Sequence, residues 1–319
     1  MNIVILERDS LGSDIDVSCY EKFGNVTIYG NTVERQVAQR VKDAEIIMGN
    51  KAPMNEQTLR DAAHVKLICL FSTGYDCVDL AYCKSRGIRV ANVVDYCTDA
   101  VCQHTFAMLF YLLEHLRHYD EYVKSGAYGE QKRFSNFDLP FTELQGKTWG
   151  IIGMGHIGRK VASVAQAFGC RILFYSASGK STCTEYERVD LDTLLSAADF
   201  LSLHCPLSDR TRGLIDKDAL VKMKRTAILL NVARGPVIDN GDLYWALQNG
   251  EIAAAGLDVL EKEPITSDNL LGRIQDSNKL LITPHLAWAT IEARTRIVEE
   301  VYRNVEAYLQ GTERNIVNP

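Results

Sequence analysis

The chain alternates short, β-branched apolar runs with segments whose apolar residues recur at helical spacing. NIVIL, NVTIYG, AEIIMGN, VKLICLF and GIRVANV come first, separated by stretches such as VERQVAQRVKDA. A second series begins at Lys147 with KTWGIIG, RILFYS, FLSLH, AILLNVA, AAAGLDV and KLLITPH. Strands that alternate with helices in this way predict parallel sheets, and the six runs of the second series match a doubly wound dinucleotide-binding fold. Between the two series, residues 99–125 start at a capping residue, Asp99, and keep helical spacing for several turns. This predicts one long connecting helix, buried early and amphipathic late. TIEARTRIVEEVYRNVEAYLQG predicts a final helix that ends at Gly311.

A length of 319 residues exceeds one ordinary core and predicts two domains. The net charge of -6 and the lack of a basic run interleaved with aromatics argue against a nucleic-acid partner. The longest apolar stretch, FAMLFYLL, is too short to span a bilayer, and MNIVILERDS has no basic n-region of a signal peptide. A soluble cytoplasmic protein without a membrane partner is expected. The nine cysteines are scattered singly, with no CxxC and no histidine spaced as a zinc partner. They are expected to be buried free thiols in a reducing compartment, and no metal site is expected.

GMGHIG at 153–158 fits GxGxxG and stands between a predicted strand and a predicted helix. In that setting Gly153 permits the tight turn, Gly155 the approach of a pyrophosphate, and Gly158 close packing of helix on strand. His156 and Ile157 open the helix whose N-terminus faces the phosphates. About 20 residues further on, an NAD-binding chain usually places an acid that holds the ribose hydroxyls. Here RILFYSASGKS supplies Ser176, Ser178, Lys180 and Ser181, with no acid before Glu185. Hydroxyls and a lysine donate to a 2′-phosphate that a carboxylate would repel, which leans the expectation toward NADP over NAD.

From Gly146 to Thr290 the chain resembles the D-isomer-specific 2-hydroxyacid dehydrogenase family. It carries GMGHIG, LHCPLSDRTRGLI, LLNVARGPVID, GLDVLEKEP and ITPHLAWAT in the family's order. FSTGYDCVDL resembles the family's substrate loop, so the likeness runs over nearly the full length. The resemblance implies two Rossmann-like α/β domains: a flavodoxin-like substrate domain at 1–98 plus 287–319, and a doubly wound NAD(P)-binding domain at 99–286. It also implies an active-site cleft between them and a homodimer built on the cofactor domains, to which the helix at 99–119 would contribute.

The same resemblance implies catalytic roles for Arg234, Glu263 and His285. Each suits a 2-oxo acid. A forked guanidinium holds the carboxylate and polarises the carbonyl. An imidazole delivers a proton near neutral pH, and a neighbouring carboxylate orients the ring and favours its protonated form. Hydride transfer from nicotinamide C4 to the 2-oxo carbon would accompany proton donation by His285. Backbone N–H groups of Ser72, Thr73 and Gly74 would meet the substrate carboxylate, and Trp288 would close the pocket. Thr105 and Asp258 near the nicotinamide, Val232 and Ala233 flanking it, and His204, Cys205, Pro206 and Thr211 along the cofactor are further carry-overs. His115 and His118 are assigned to a polar or interface face, and His104 receives no role.

LAWAT followed by EAR resembles the glycerate dehydrogenase and hydroxypyruvate reductase branch. The expected reaction is therefore reduction of hydroxypyruvate to D-glycerate, or of glyoxylate to glycolate. D-lactate and 3-phosphoglycerate are the alternative substrates, and a non-enzymatic dinucleotide sensor is the alternative class. Glu263 stands where the formate dehydrogenase branch has glutamine, which argues against that branch.

Overall fold

The computed structural model describes residues 1–319 and contains two compact units, Met1–Cys97 with Ala289–Pro319, and Thr98–Trp288. In the first unit, β1 (Asn2–Ile5), β2 (Asn25–Ile28), β3 (Ile46–Gly49), β4 (Leu67–Leu70) and β5 (Arg89–Ala91) form one sheet. Its order is β2-β1-β3-β4-β5 and every pairing is parallel. All four residues of β3 and of β4 are buried, which is why these strands read as unbroken apolar runs rather than as alternations. The helix Ile291–Leu309 is capped by the Thr290 side chain, which accepts from the Ala293 N–H. It buries Ala293, Ile297, Val298, Val301 and Val305, a stripe at i, i+4 and i+3 spacing. At the end of β1 the buried Glu7 carboxylate accepts N–H bonds from Asn50, Lys51 and Ala52 at 2.7, 2.8 and 2.9 Å. This clamp fixes the loop that leaves β3.

The second unit holds β6 (Thr148–Ile152), β7 (Arg171–Tyr175), β8 (Glu187–Arg188), β9 (Phe200–Leu203), β10 (Ile228–Asn231), β11 (Ala254–Leu257) and β12 (Leu280–Ile282). They pair in parallel in the order β12-β11-β10-β9-β6-β7-β8. The six predicted strands are present, and β8 is an addition. Two exposed charged residues at a sheet edge carry no apolar pattern from which β8 could be read.

Helices cover both faces of this sheet. One face packs Leu229, Leu201, Leu243 and Leu247 into one cluster, and the other packs Trp149, Ile151, Phe174 and Leu230 against Phe106, Met108 and Leu112. The Trp149 indole N–H donates to Ser202 Oγ at 2.8 Å, so its burial leaves that donor satisfied. Met108 Cε and Leu230 Cδ2 lie 2.8 and 3.0 Å from where a Cβ on Gly256 would sit, so this glycine lets the helix rest on the sheet.

The connecting segment differs from the expectation of one unbroken helix. It forms Thr98–Leu113 and Leu116–Lys124, separated at His115, whose φ of 53° is left-handed. The His115 ring lies 3.2 Å from Asn278 Oδ1, a contact with the loop before β12 that local spacing does not announce. No helix is long and apolar enough to cross a membrane.

Leu229 is 0% exposed in the middle of β10. Leu229→Ala is expected to lower unfolding free energy by about 2–5 kcal/mol through lost transfer energy and a residual cavity. Denaturant melts with an unchanged m-value would show it.

Candidate active site

Because every strand of the second sheet is parallel, its loops to the following helices leave from one edge. β6 leads into the glycine loop, β7 into Ser176, β9 into His204, β10 into Arg234, β11 into Asp258 and Glu263, and β12 into His285. The carboxyl edge of such a sheet, near the point where strand order reverses, is where open α/β folds bind ligands. Here the order reverses at β6, whose neighbours are β7 and β9.

The glycines answer to three different constraints. Gly153 has φ 99°, and a Cβ there would lie 2.7 Å from the backbone of His204 and Cys205. A Cβ on Gly158 would lie 2.2 Å from the Gly153 carbonyl oxygen. Around Gly155, by contrast, no atom lies within 4 Å of that position. Gly155 is the N-cap of the helix His156–Ala167 and makes no side-chain cap, so the helix N-terminus faces open space where an anion can approach. Ile157 lies in its first turn.

His204 adds an unpaired polar atom beside this loop. Its Nε2 is 3.0 Å from Ser202 Oγ, while its Nδ1 is buried without a partner. Burial pushes the ring's pKa down to about 3, so it is neutral. A buried imidazole nitrogen left unpaired is costly and fits a site that a ligand completes. The space at Gly155 and the orphaned nitrogen together fit a dinucleotide along this edge. Cys205 is buried. Thr211 is also buried, and its hydroxyl donates to the Pro206 carbonyl at 2.8 Å, tying the turn together from within.

After β7, Ser176 is 7% exposed and its Oγ accepts the Ser181 N–H at 3.3 Å, whereas Ser178 and Lys180 are exposed. Arg188 donates to the Gly179 carbonyl at 3.3 Å and brings a second cation to this turn. Glu185, the first acid after β7, is ion-paired to Arg159 at 2.8 Å. The Cys183 thiol, its own backbone N–H and Arg159 hold its carboxyl down to about 2.

Arg234, Glu263 and His285 come from three adjacent strand ends. His285 Nδ1 lies 2.6 Å from Glu263 Oε2. The other oxygen of Glu263 accepts the Leu260 N–H at 2.9 Å, which fixes the carboxylate from both sides. An ionised carboxylate only accepts, so Nδ1 donates and Nε2 is the nitrogen left to face a reactant. Gly235 explains how Arg234 reaches this neighbourhood. A Cβ there would lie 1.9 Å from Leu260 C, so the Arg234–Gly235 backbone rests directly on Leu260–Glu261.

Asn231 braces the same turn from its buried position at the end of β10. Its Oδ1 accepts the Ala233 N–H and its Nδ2 donates to the Arg234 carbonyl, both at 3.0 Å. The site residues expected from the sequence do not include Asn231. The available signal was a polar residue closing a strand otherwise buried throughout.

Asp258, 2% exposed, holds the loop that carries His285. Its backbone carbonyl accepts the His285 N–H at 2.8 Å, and its carboxylate accepts the N–H groups of Leu286 and Ala287, each at 2.8 Å, and the Thr283 hydroxyl at 2.6 Å. These bonds hold His285 at a left-handed φ of 54°. Val232 and Trp288 are partly buried, Ala233 is buried, and Thr105 is fully buried with its hydroxyl donating to the Val101 carbonyl at 2.8 Å. In the first unit, Ser72 Oγ donates to the Gly74 carbonyl at 2.6 Å and Thr73 Oγ1 to the Val93 carbonyl at 2.7 Å, which shapes the loop after β4.

A family model described as D-isomer specific 2-hydroxyacid dehydrogenase, NAD binding domain, matches residues 106–287. The chain is similar to a hydroxypyruvate reductase of Blautia hydrogenotrophica, with 38% identity over 100% of both chains. It is also similar to a glycerate dehydrogenase of Methylorubrum extorquens, with 36% identity over 99% of this chain and 98% of that one. Among solved structures, a D-lactate dehydrogenase from Aquifex aeolicus complexed with NAD and lactic acid superimposes with a TM-score of 0.87 at 29% identity, covering 100% of this chain and 99% of that one.

Gly155 and Gly158 separate ligand approach from packing. Gly158→Ala is expected to lower the melting temperature, because its Cβ has nowhere to go. Gly155→Ala is expected to melt like the parent and to weaken dinucleotide binding about tenfold or more, read by cofactor fluorescence titration.

Proposed function

The chain belongs to the D-isomer-specific 2-hydroxyacid dehydrogenase family, oxidoreductases acting on CH–OH groups, and we propose that it reduces hydroxypyruvate to D-glycerate, with glyoxylate to glycolate as the second reaction. The observation that carries this reading is the 2.6 Å pair of His285 Nδ1 and Glu263 Oε2, with Glu263 pinned at its other oxygen by Leu260 N–H. A bound nicotinamide dinucleotide supplies the two-electron reduction of the 2-oxo carbon. His285 delivers a proton from Nε2 to the substrate oxygen, and in the oxidative direction it accepts one there. Glu263, accepting from Nδ1–H, orients the ring with Nε2 toward the substrate and supports the imidazolium that gives up the Nε2 proton in reduction and forms again in oxidation. Arg234 binds the substrate carboxylate through its fork and polarises the carbonyl, held in place by Asn231 and Gly235. The Ser72–Gly74 loop is the proposed backbone contact for the carboxylate, and Trp288 the side chain that bounds a small substrate.

The cofactor we propose is NADP in preference to NAD. Support comes from the turn after β7, where Ser178, Lys180 and Arg188 provide donors and the first acid in the chain after that strand, Glu185, is ion-paired to Arg159. A homodimer is also proposed. The segment that follows the helix break exposes Phe134 (89%), Phe137 (69%) and Phe141 (56%), more aromatic surface than a monomer leaves wet without a purpose.

Initial rates with hydroxypyruvate, glyoxylate and pyruvate, each with NADPH and NADH, test the assignment, and hydroxypyruvate is expected to turn over fastest. His285→Ala should cut turnover by about 10²-fold or more while dinucleotide affinity stays near that of the parent. Unchanged turnover would remove His285 from the mechanism. Lys180→Ala is expected to weaken NADPH by about tenfold and to leave NADH alone; equal effects on both would sink the 2′-phosphate reading. Phe134→Asp with Phe137→Asp should halve the mass seen by light scattering if these rings form the dimer contact.

A further inference from the structure

Asp258 is a buried carboxylate whose oxygens are occupied by the loop before and after His285, and the one imidazole beside it comes from a distant helix. His104, on Thr98–Leu113, places Nε2 3.0 Å from Thr283 Oγ1 and 3.6 Å from Asp258 Oδ1. The Thr283 hydroxyl has a single proton, and the 2.6 Å bond to Asp258 Oδ1 takes it. Thr283 Oγ1 can therefore only accept from His104, which makes Nε2–H the donor. The result is a directed chain from His104 to Thr283 that ends at the Asp258 carboxylate, which also accepts the N–H groups of Leu286 and Ala287 on the far side of His285. Burial lowers the His104 pKa and the Asp258 charge only partly opposes this, so the ring donates as a neutral imidazole.

The geometry points to His104 as a positioning residue for this enzyme, acting through Thr283 and Asp258 to hold His285 in its left-handed backbone conformation. The inference rests on His285 being the acid/base group. The polar partners of the His104 ring are Thr283 and Asp258, which hold the loop that carries His285. The effect of His104 must be on the placement of His285, and so on kcat, and not on the affinity for dinucleotide.

The test compares His104→Leu, His104→Gln, Thr283→Val, the double variant His104→Leu/Thr283→Val, and His285→Ala in the full chain, using the fastest 2-oxo acid. Expected results are a fall in kcat of about tenfold or more for His104→Leu with KM and dinucleotide Kd within about twofold, and recovery of most of that loss in His104→Gln, whose amide can still donate. The double variant should be no worse than Thr283→Val alone, because both residues act through one chain of bonds. Parent-like kcat in His104→Leu, equal losses in His104→Leu and His104→Gln, or additive losses in the double variant would each overturn the positioning role. If His285→Ala keeps parent turnover, the acid/base reading itself falls and this inference falls with it; a dead His285→Ala beside an active His104→Leu defeats the inference alone.

Discussion

Strand direction is the constraint on which the site depends. A parallel strand cannot be joined to its neighbour by a short hairpin, so each must be followed by a crossover, and every outgoing loop leaves from the same edge. In the sheet β12-β11-β10-β9-β6-β7-β8, residues as far apart in the chain as Gly153 and His285 thereby reach one rim. The core clusters on both faces support that rim, and the candidate site residues lie on the loops that leave it.

Within those loops, backbone N–H groups and carboxylates do most of the placing. Glu7 gathers three amides at the end of β1, and Asp258 gathers two amides and a hydroxyl at the end of β11. Each is a buried charge made tolerable by hydrogen bonds to the loop it organises. Glu263 differs in degree: one oxygen is held by a backbone amide and the other is committed to His285. The bonds of Glu7 and Asp258 go to the loops they organise, whereas Glu263 gives one oxygen to an imidazole.

Much of the fold was legible from local pattern. Unbroken apolar runs marked the central strands because both faces are covered, and helical spacing marked the crossovers. The expectation failed where tertiary contacts decide. His115 breaks a helix that spacing alone would continue, and the charged pair Glu187–Arg188 joins the sheet edge with no apolar signal. The glycine loop could be read as a motif, but only packing shows that backbone abuts Gly153 and Gly158 while the space beside Gly155 is open.

By itself the sequence determined the strand and helix alphabet, the order of the motifs, and the identity of the groups suited to the chemistry, since these follow from residue type and periodicity. Only the tertiary structure decided which groups meet. Glu263 meeting His285, Asp258 gathering the Leu286 and Ala287 amides, Gly235 resting on Leu260–Glu261, and His104 reaching Thr283 across 179 positions are contacts between segments that no local pattern couples. The physical reason is that hydrogen-bond partners are chosen by the path of the backbone through space, and that path is set by the packing of whole sheets and helices.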